Sequence, residues 1–172
     1  MNTSFIITLS IIISLLIAFY TFLLALNNKV HKLEILIKDL LKQRTDLIPA
    51  LFEITKNYLT KHNEIYDEIL RLRKLEFSLE DNEDVTFVEI LKNERFIHHE
   101  MNFIYNVCLK NKKLEQFGRF QYIKELTINR SYTIGEKVET YRKIVDTLNN
   151  LITIKNYTII GLFLPLNKRI EI

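Results

Sequence analysis

Hydrophobic and polar positions alternate along this chain with a helical period almost from end to end. Residues 5–26 form an uncharged run of 22, and the first charged side chain of the chain is Lys29. About 20 apolar residues cross the hydrocarbon core of a bilayer as a helix, so this run predicts a transmembrane span. Apolar residues then recur at Val30, Leu33, Ile37 and Leu40, at Leu47, Leu51, Ile54 and Tyr58, and at Ile65, Ile69 and Leu72. Steps of three and four define one narrow buried stripe. Arg44 and Lys61 occupy two positions of that series.

Pro49 lies inside this stripe without disturbing its phase. Proline clashes with the carbonyl four residues before it, here Thr45, so the helix either kinks or restarts. A restart would place Asp46 near the N-cap of the second piece. The retained phase favours the kink. Residues 78–84 are acidic and polar, a turn leading into a helix whose first turn accommodates acids. The next stripe is Phe87, Ile90, Ile97, Met101, Ile104 and Cys108, widened by Tyr105 and Leu109. Asn111, Lys113 and Gly118 mark a further break. Ile134, Val138, Tyr141, Val145, Leu148 and Ile152 then follow strict four-three spacing, while Phe117, Phe120 and Ile123 upstream are less regular.

Together these elements predict an all-α protein. A transmembrane helix at 5–26 follows a short external N-terminus at 1–4 and precedes a helical bundle domain at 29–156 and an apolar C-terminal tail at 157–172. The bundle is expected to be an up-and-down, antiparallel set of three long helices, or four if the chain breaks at Pro49. The tail is too short to span a membrane; it either caps the bundle or dips into the interface. Three glycines and two prolines in 172 residues agree, since β-rich or α/β folds need more turn residues.

The N-terminal run lacks the basic n-region, short apolar core and Ala-x-Ala-like site of a cleaved signal peptide, so it reads as an uncleaved anchor. Lys29, Lys32, Lys38, Lys42 and Arg44 follow the span and no basic residue precedes it. The positive-inside rule places the N-terminus outside and the bundle in the cytoplasm of a cell membrane. The net charge of +3 is modest and the signs alternate, which excludes a nucleic-acid footprint. Ser10, Ser14 and Ala18 recur every four residues on the span, the spacing of a small-residue face through which two spans pack as a parallel homodimer.

Candidate chemistry is sparse. Cys108 is the single cysteine, which excludes a disulfide framework and a cysteine zinc site; its apolar face makes it a buried hydrophobe. His98-His99-Glu100 invites a metal reading. A di-iron bundle needs Glu-x-x-His twice, whereas Glu94 and His98 are four apart and adjacent helical histidines diverge by about 100°. No metal site or cofactor is therefore expected, and His31 and His62 suggest none. Three glycines supply no phosphate loop or nucleophile elbow. Arg44 stands out because a guanidinium at an apolar position must be paired, and Asp46 is placed either to cap the helix beyond it or to bind Arg44 or Arg142.

The stretch Arg44-Thr45-Asp46-Leu47-Ile48-Pro49-Ala50-Leu51, continued by Lys56, Tyr58, Lys61 and His62, resembles the Arg-x-Asp-Leu-Ile-Pro-x-Leu signature of the LemA family of bacterial membrane proteins. Arg142 is similar to that family's late arginine, and residues 159–166 resemble its apolar C-terminal segment. The family's two Tyr-Asn pairs are replaced by Val145-Asp146 and Ile152-Thr153, and its Tyr-Pro before the last helix is missing. The resemblance implies one span, a cytoplasmic helical bundle usually counted as four helices, and no established catalytic activity. The expected role is a non-catalytic interaction or scaffold module with unidentified protein partners at the bilayer. The alternatives are an enzyme with an inter-helix site or an accessory subunit of a membrane transport complex.

Overall fold

In the computed structural model the described residues are 3–56, 64, 67, 70, 71, 87–156 and 168. Among them all regular structure is helical. Helix α1 runs Thr3–Thr45, α2 Ile48–Thr55, α3 Phe87–Leu109, α4 Lys112–Glu115 and α5 Gly118–Asn156. Their residues group into two compact units. One comprises Met1–Ile35 and Lys137–Ile172, the other Leu36–Glu136.

With no proline or glycine before Pro49, α1 continues for 43 residues, about 64 Å at 1.5 Å per residue. It is the one described helix long and apolar enough to cross a membrane. From Phe5 to Phe22 its large apolar side chains are exposed or half-buried, and the first fully buried one is Leu23. In this first unit Leu23 and Val30 of α1 and Tyr141, Val145, Leu148 and Ile152 of α5 are buried. The phenol of Tyr141 donates to Glu34 Oε1 at 3.0 Å. Residues N-terminal to Glu34 on α1 therefore meet residues C-terminal to Tyr141 on α5, and the two stretches are antiparallel.

The proline produces a kink, not a capped restart. The N–H of Asp46 still donates to the Lys42 carbonyl at 2.9 Å, and Leu47 N–H donates one residue short of the helical register, to Arg44 at 3.1 Å. Leu47 occupies the cap position of α2 with helical dihedrals (φ −80°, ψ −16°) and no side-chain cap bond. Capping by Asp46 would need an extended backbone there. Asp46 lies just before that cap position and is exposed.

The second unit holds the largest apolar core. Ile48 and Leu51 of α2, Ile97, Met101, Ile104, Tyr105 and Cys108 of α3, Leu114 of α4, and Phe120 and Ile123 of α5 pack together. Each such aliphatic or aromatic side chain contributes about 1.5–3 kcal/mol on leaving water. Of the expected stripe of α1 and α2, Val30, Ile37 and Leu51 are buried, whereas at the alternate positions burial falls one residue further on: Leu41, Ile48 and Thr55 are buried while Leu40, Leu47 and Ile54 are half-buried. Adjacent apolar pairs at Leu40-Leu41 and Leu47-Ile48 leave the phase open, and packing selects it. Val138 and Phe117 are likewise less buried than their neighbours.

The α3–α5 connection is made by local chemistry. Asn111, in extended conformation, accepts from Lys113 N–H at 3.1 Å and starts α4, whose Leu114 is buried. Phe120 N–H donates to the Phe117 carbonyl at 2.9 Å and launches α5. The reversal brings Tyr105 against Thr127 and His98 against Ser131, so α3 and α5 run antiparallel.

Candidate functional site

Among the described residues, buried polar side chains include Asn149 and Lys155 in the first unit, and a connected polar cluster lies in the second. Arg44 sits in the buried series Ile37, Leu41, Arg44, Ile48 of the kinked helix and is 3% exposed. Its Nη2 donates to Glu94 Oε2 of α3, and both side chains are 4% exposed. Its Nη1 donates to Ser131 Oγ of α5 at 3.4 Å. One guanidinium thus ties three helices together. Beside it, Arg130 donates to Gln43 Oε1 across the α1–α5 interface.

The cluster extends along α3. Ser131 Oγ lies 3.5 Å from His98 Nδ1, and the His98 Nε2 is 2.9 Å from the Asn102 side-chain amide. One helical turn further on from Met101, the Tyr105 hydroxyl donates to Thr127 Oγ1 at 2.9 Å, which donates to the Ile123 carbonyl at 2.8 Å. The Tyr105 ring also meets Phe120, centroid to centroid, at 6.1 Å and 60°. Thr45 and Thr55, both buried, return their hydroxyls to backbone carbonyls of the preceding turn.

Burial and the fixed charge of Arg44 set the protonation of this region. Desolvation first, then Arg44 and His99, hold His98 below its ordinary 6.5, so it is neutral at pH 7. Burial pushes the Tyr105 phenol up to about 12 and the Cys108 thiol up to about 11. Both therefore stay protonated, and Cys108 is no thiolate nucleophile. Glu94 Oε1 is buried with no hydrogen-bond partner, which raises the cost of the ion pair. Among the described residues no group of three His, Cys, Asp or Glu side chains is placed to hold a metal ion. What the arrangement does chemically is hold helices in register.

The sequence-selected residues separate under the structure. Arg44, Ile48 and Leu51 are buried, Leu47 is half-buried, and Asp46, Pro49 and Lys56 are exposed. Lys56 makes a surface pair with Glu53 at 3.5 Å. Arg142 belongs to the first unit and is half-buried. Tyr58, Lys61 and His62 lie outside the described residues. Ser10, Ser14 and Ala18 are all exposed on α1.

Sequence reasoning identified Arg44 as needing a partner and missed that partner. Its signal was present: the α3 stripe steps seven residues from Ile90 to Ile97, and Glu94 fills the skipped position. Opposite charges filling core positions of two helices are the pattern of a buried pair. Ser131 and Thr127 fill equivalent positions upstream of Ile134. Comparison with family models, with curated proteins and with solved structures returns no match to this chain.

Proposed function

We propose that this chain is a single-pass, membrane-anchored helical bundle of LemA-like type that serves as a non-catalytic interaction or scaffold module at the cytoplasmic face. One observation carries the reading. The large apolar side chains of the first half of α1 are exposed or half-buried, and the same helix runs without a loop into packed positions from Leu23 onward. A soluble core helix would bury those side chains, and a row of exposed Phe, Ile and Leu in water is an aggregation hazard. Lipid is the medium that suits them.

Further support comes from the signature residues. Arg44, Ile48 and Leu51 serve the core, and Pro49 sits at the kink, so this stretch shapes the bundle instead of presenting reactive groups. Exposed Lys29, Lys32 and Lys42 beyond the span favour the cytoplasmic side, whereas Arg44 is neutralised by Glu94. The protonated states of Cys108 and Tyr105 weigh against a catalytic inter-helix site.

Single cysteines at Asn2 and Lys168 in a Cys108→Ala background, treated with a membrane-impermeant maleimide in intact cells, test the topology. Labelling at position 2 alone is expected; labelling at position 168 alone would reverse the orientation. Crosslinking in native membranes followed by stoichiometric analysis tests the scaffold role. A reproducible hetero-complex is expected, and a protein that stays monomeric and uncrosslinked at its native level refutes it.

A further inference from the structure

The antiparallel pairing of α1 and α5 also fixes how far α5 descends along the span. Glu34 and Tyr141 are level with one another through their 3.0 Å hydrogen bond. Seven residues back from Glu34 on α1 is Asn27, followed by Asn28; seven beyond Tyr141 on α5 is Leu148, followed by Asn149 and Asn150. The two asparagine pairs therefore stand at the same height within about 3 Å, given about 1.5 Å per residue. On α1 that height is where the polar sequence gives way to the uncharged run, below which every position is apolar, Ser, Thr, Asn or Tyr.

The outward face of α5 changes character at the same height. Glu139, Lys143, Asp146 and Asn150 are exposed and polar, and the next residue on that face is Ile154, 55% exposed. Ile154 lies thirteen residues beyond Tyr141, level with Thr21, about 6 Å past Asn150. Buried Leu148, Ile152 and Lys155 show that α5 stays packed to its end. Beyond the asparagines, Thr153 donates to the Asn149 carbonyl at 2.8 Å, as Thr21 does to Ala18 at 2.9 Å. Hydroxyls turned onto their own helix carry little penalty where water is scarce.

We propose that the C-terminal turns of α5, residues 151–156, are a second membrane-contact element. They lie against the span within the interfacial layer of the bilayer, with Ile154 facing lipid and the exposed Asn28 and Asn150 at the headgroup level. This rests on the reading of α1 as a transmembrane helix. The depth of about 6 Å past Asn150 matches the 5–10 Å to which interfacial helices sink an apolar face. The protein-covered part of α1 then begins inside the membrane, and its lipid-facing part is residues 5–22, about 27 Å long and close to one hydrocarbon core.

The test uses the full chain with Cys108→Ala, reconstituted in phosphatidylcholine vesicles. Nitroxides are attached singly at Ile12→Cys, Lys143→Cys and Ile154→Cys, and their collisions with oxygen and with a water-soluble nickel chelate are compared. Lys143 is 73% exposed and lies three turns from Ile154 on the same face, so the two differ in height alone. The expected result is an oxygen-to-nickel ratio several-fold higher at 12 and at 154 than at 143. A ratio at 154 equal to that at 143, with 12 in lipid, overturns the inference and leaves the anchor intact. Low access of both reagents at 154 overturns it in favour of a protein partner there. Nickel access at 12 overturns the anchor reading, and this inference with it.

Discussion

Replacing Glu94 by Leu removes one charge of the buried pair while keeping side-chain volume. Arg44 then remains a full cation at a position 3% exposed, with the opposing carboxylate gone and its 3.4 Å donation to Ser131 kept. Breaking a buried pair from one side costs about 3–5 kcal/mol, because the uncompensated charge has lost its water. Arg44→Met, which strands Glu94, should cost a similar amount. The double variant Arg44→Met/Glu94→Leu should lie within about 1 kcal/mol of the parent, since two charges and the unbonded Glu94 Oε1 disappear together. For a chain of this size about 3–5 kcal/mol corresponds to a fall of about 6–20 °C in Tm. Circular dichroism melts of the four full-length proteins in one detergent give the cycle. A double variant that loses the sum of the single losses would show that Arg44 and Glu94 act independently, and would refute the pair as the organiser of the three-helix junction.

Other consequences are checked in the same preparation. His98 is held below 6.5 in the folded state, so the unfolded chain binds more protons as pH falls through that value; stability should be complete above pH 6.5 and decline below it. Melts between pH 7.5 and 5 should show a shallower decline for His98→Gln, and equal slopes would dismiss the effect. Tyr105→Phe removes the 2.9 Å donation to Thr127 and should cost about 0.5–1.5 kcal/mol, with no change for Tyr132→Phe, whose side chain is exposed. Gly135 is in the interior of α5 and an added Cβ meets nothing within 4 Å, so Gly135→Ala should raise stability by about 1 kcal/mol. A lower Tm for that variant would mean that the helix needs the glycine.

Periodicity alone determined the helical class, because a step of three or four residues has no other regular solution. The long uncharged run determined that α1 would be apolar over a bilayer's thickness, and the α3 and α5 stripes named most of their buried residues, including Ile97, Met101, Ile104, Val145 and Leu148. Tertiary structure decided what such patterns leave degenerate. Where two apolar residues adjoin, as at Leu40-Leu41 and Leu47-Ile48, only the neighbouring helices select the one that is buried. The Pro49 region shows the same division: retained phase anticipated the kink, and the fold puts Leu47, with helical dihedrals, at the cap position of α2. Arg44 was visible in the sequence as a charge in a core position, yet its partner lies 50 residues away. Local spacing sets what a side chain requires, and only the packing of distant helices brings Glu94 and Ser131 within reach of that guanidinium.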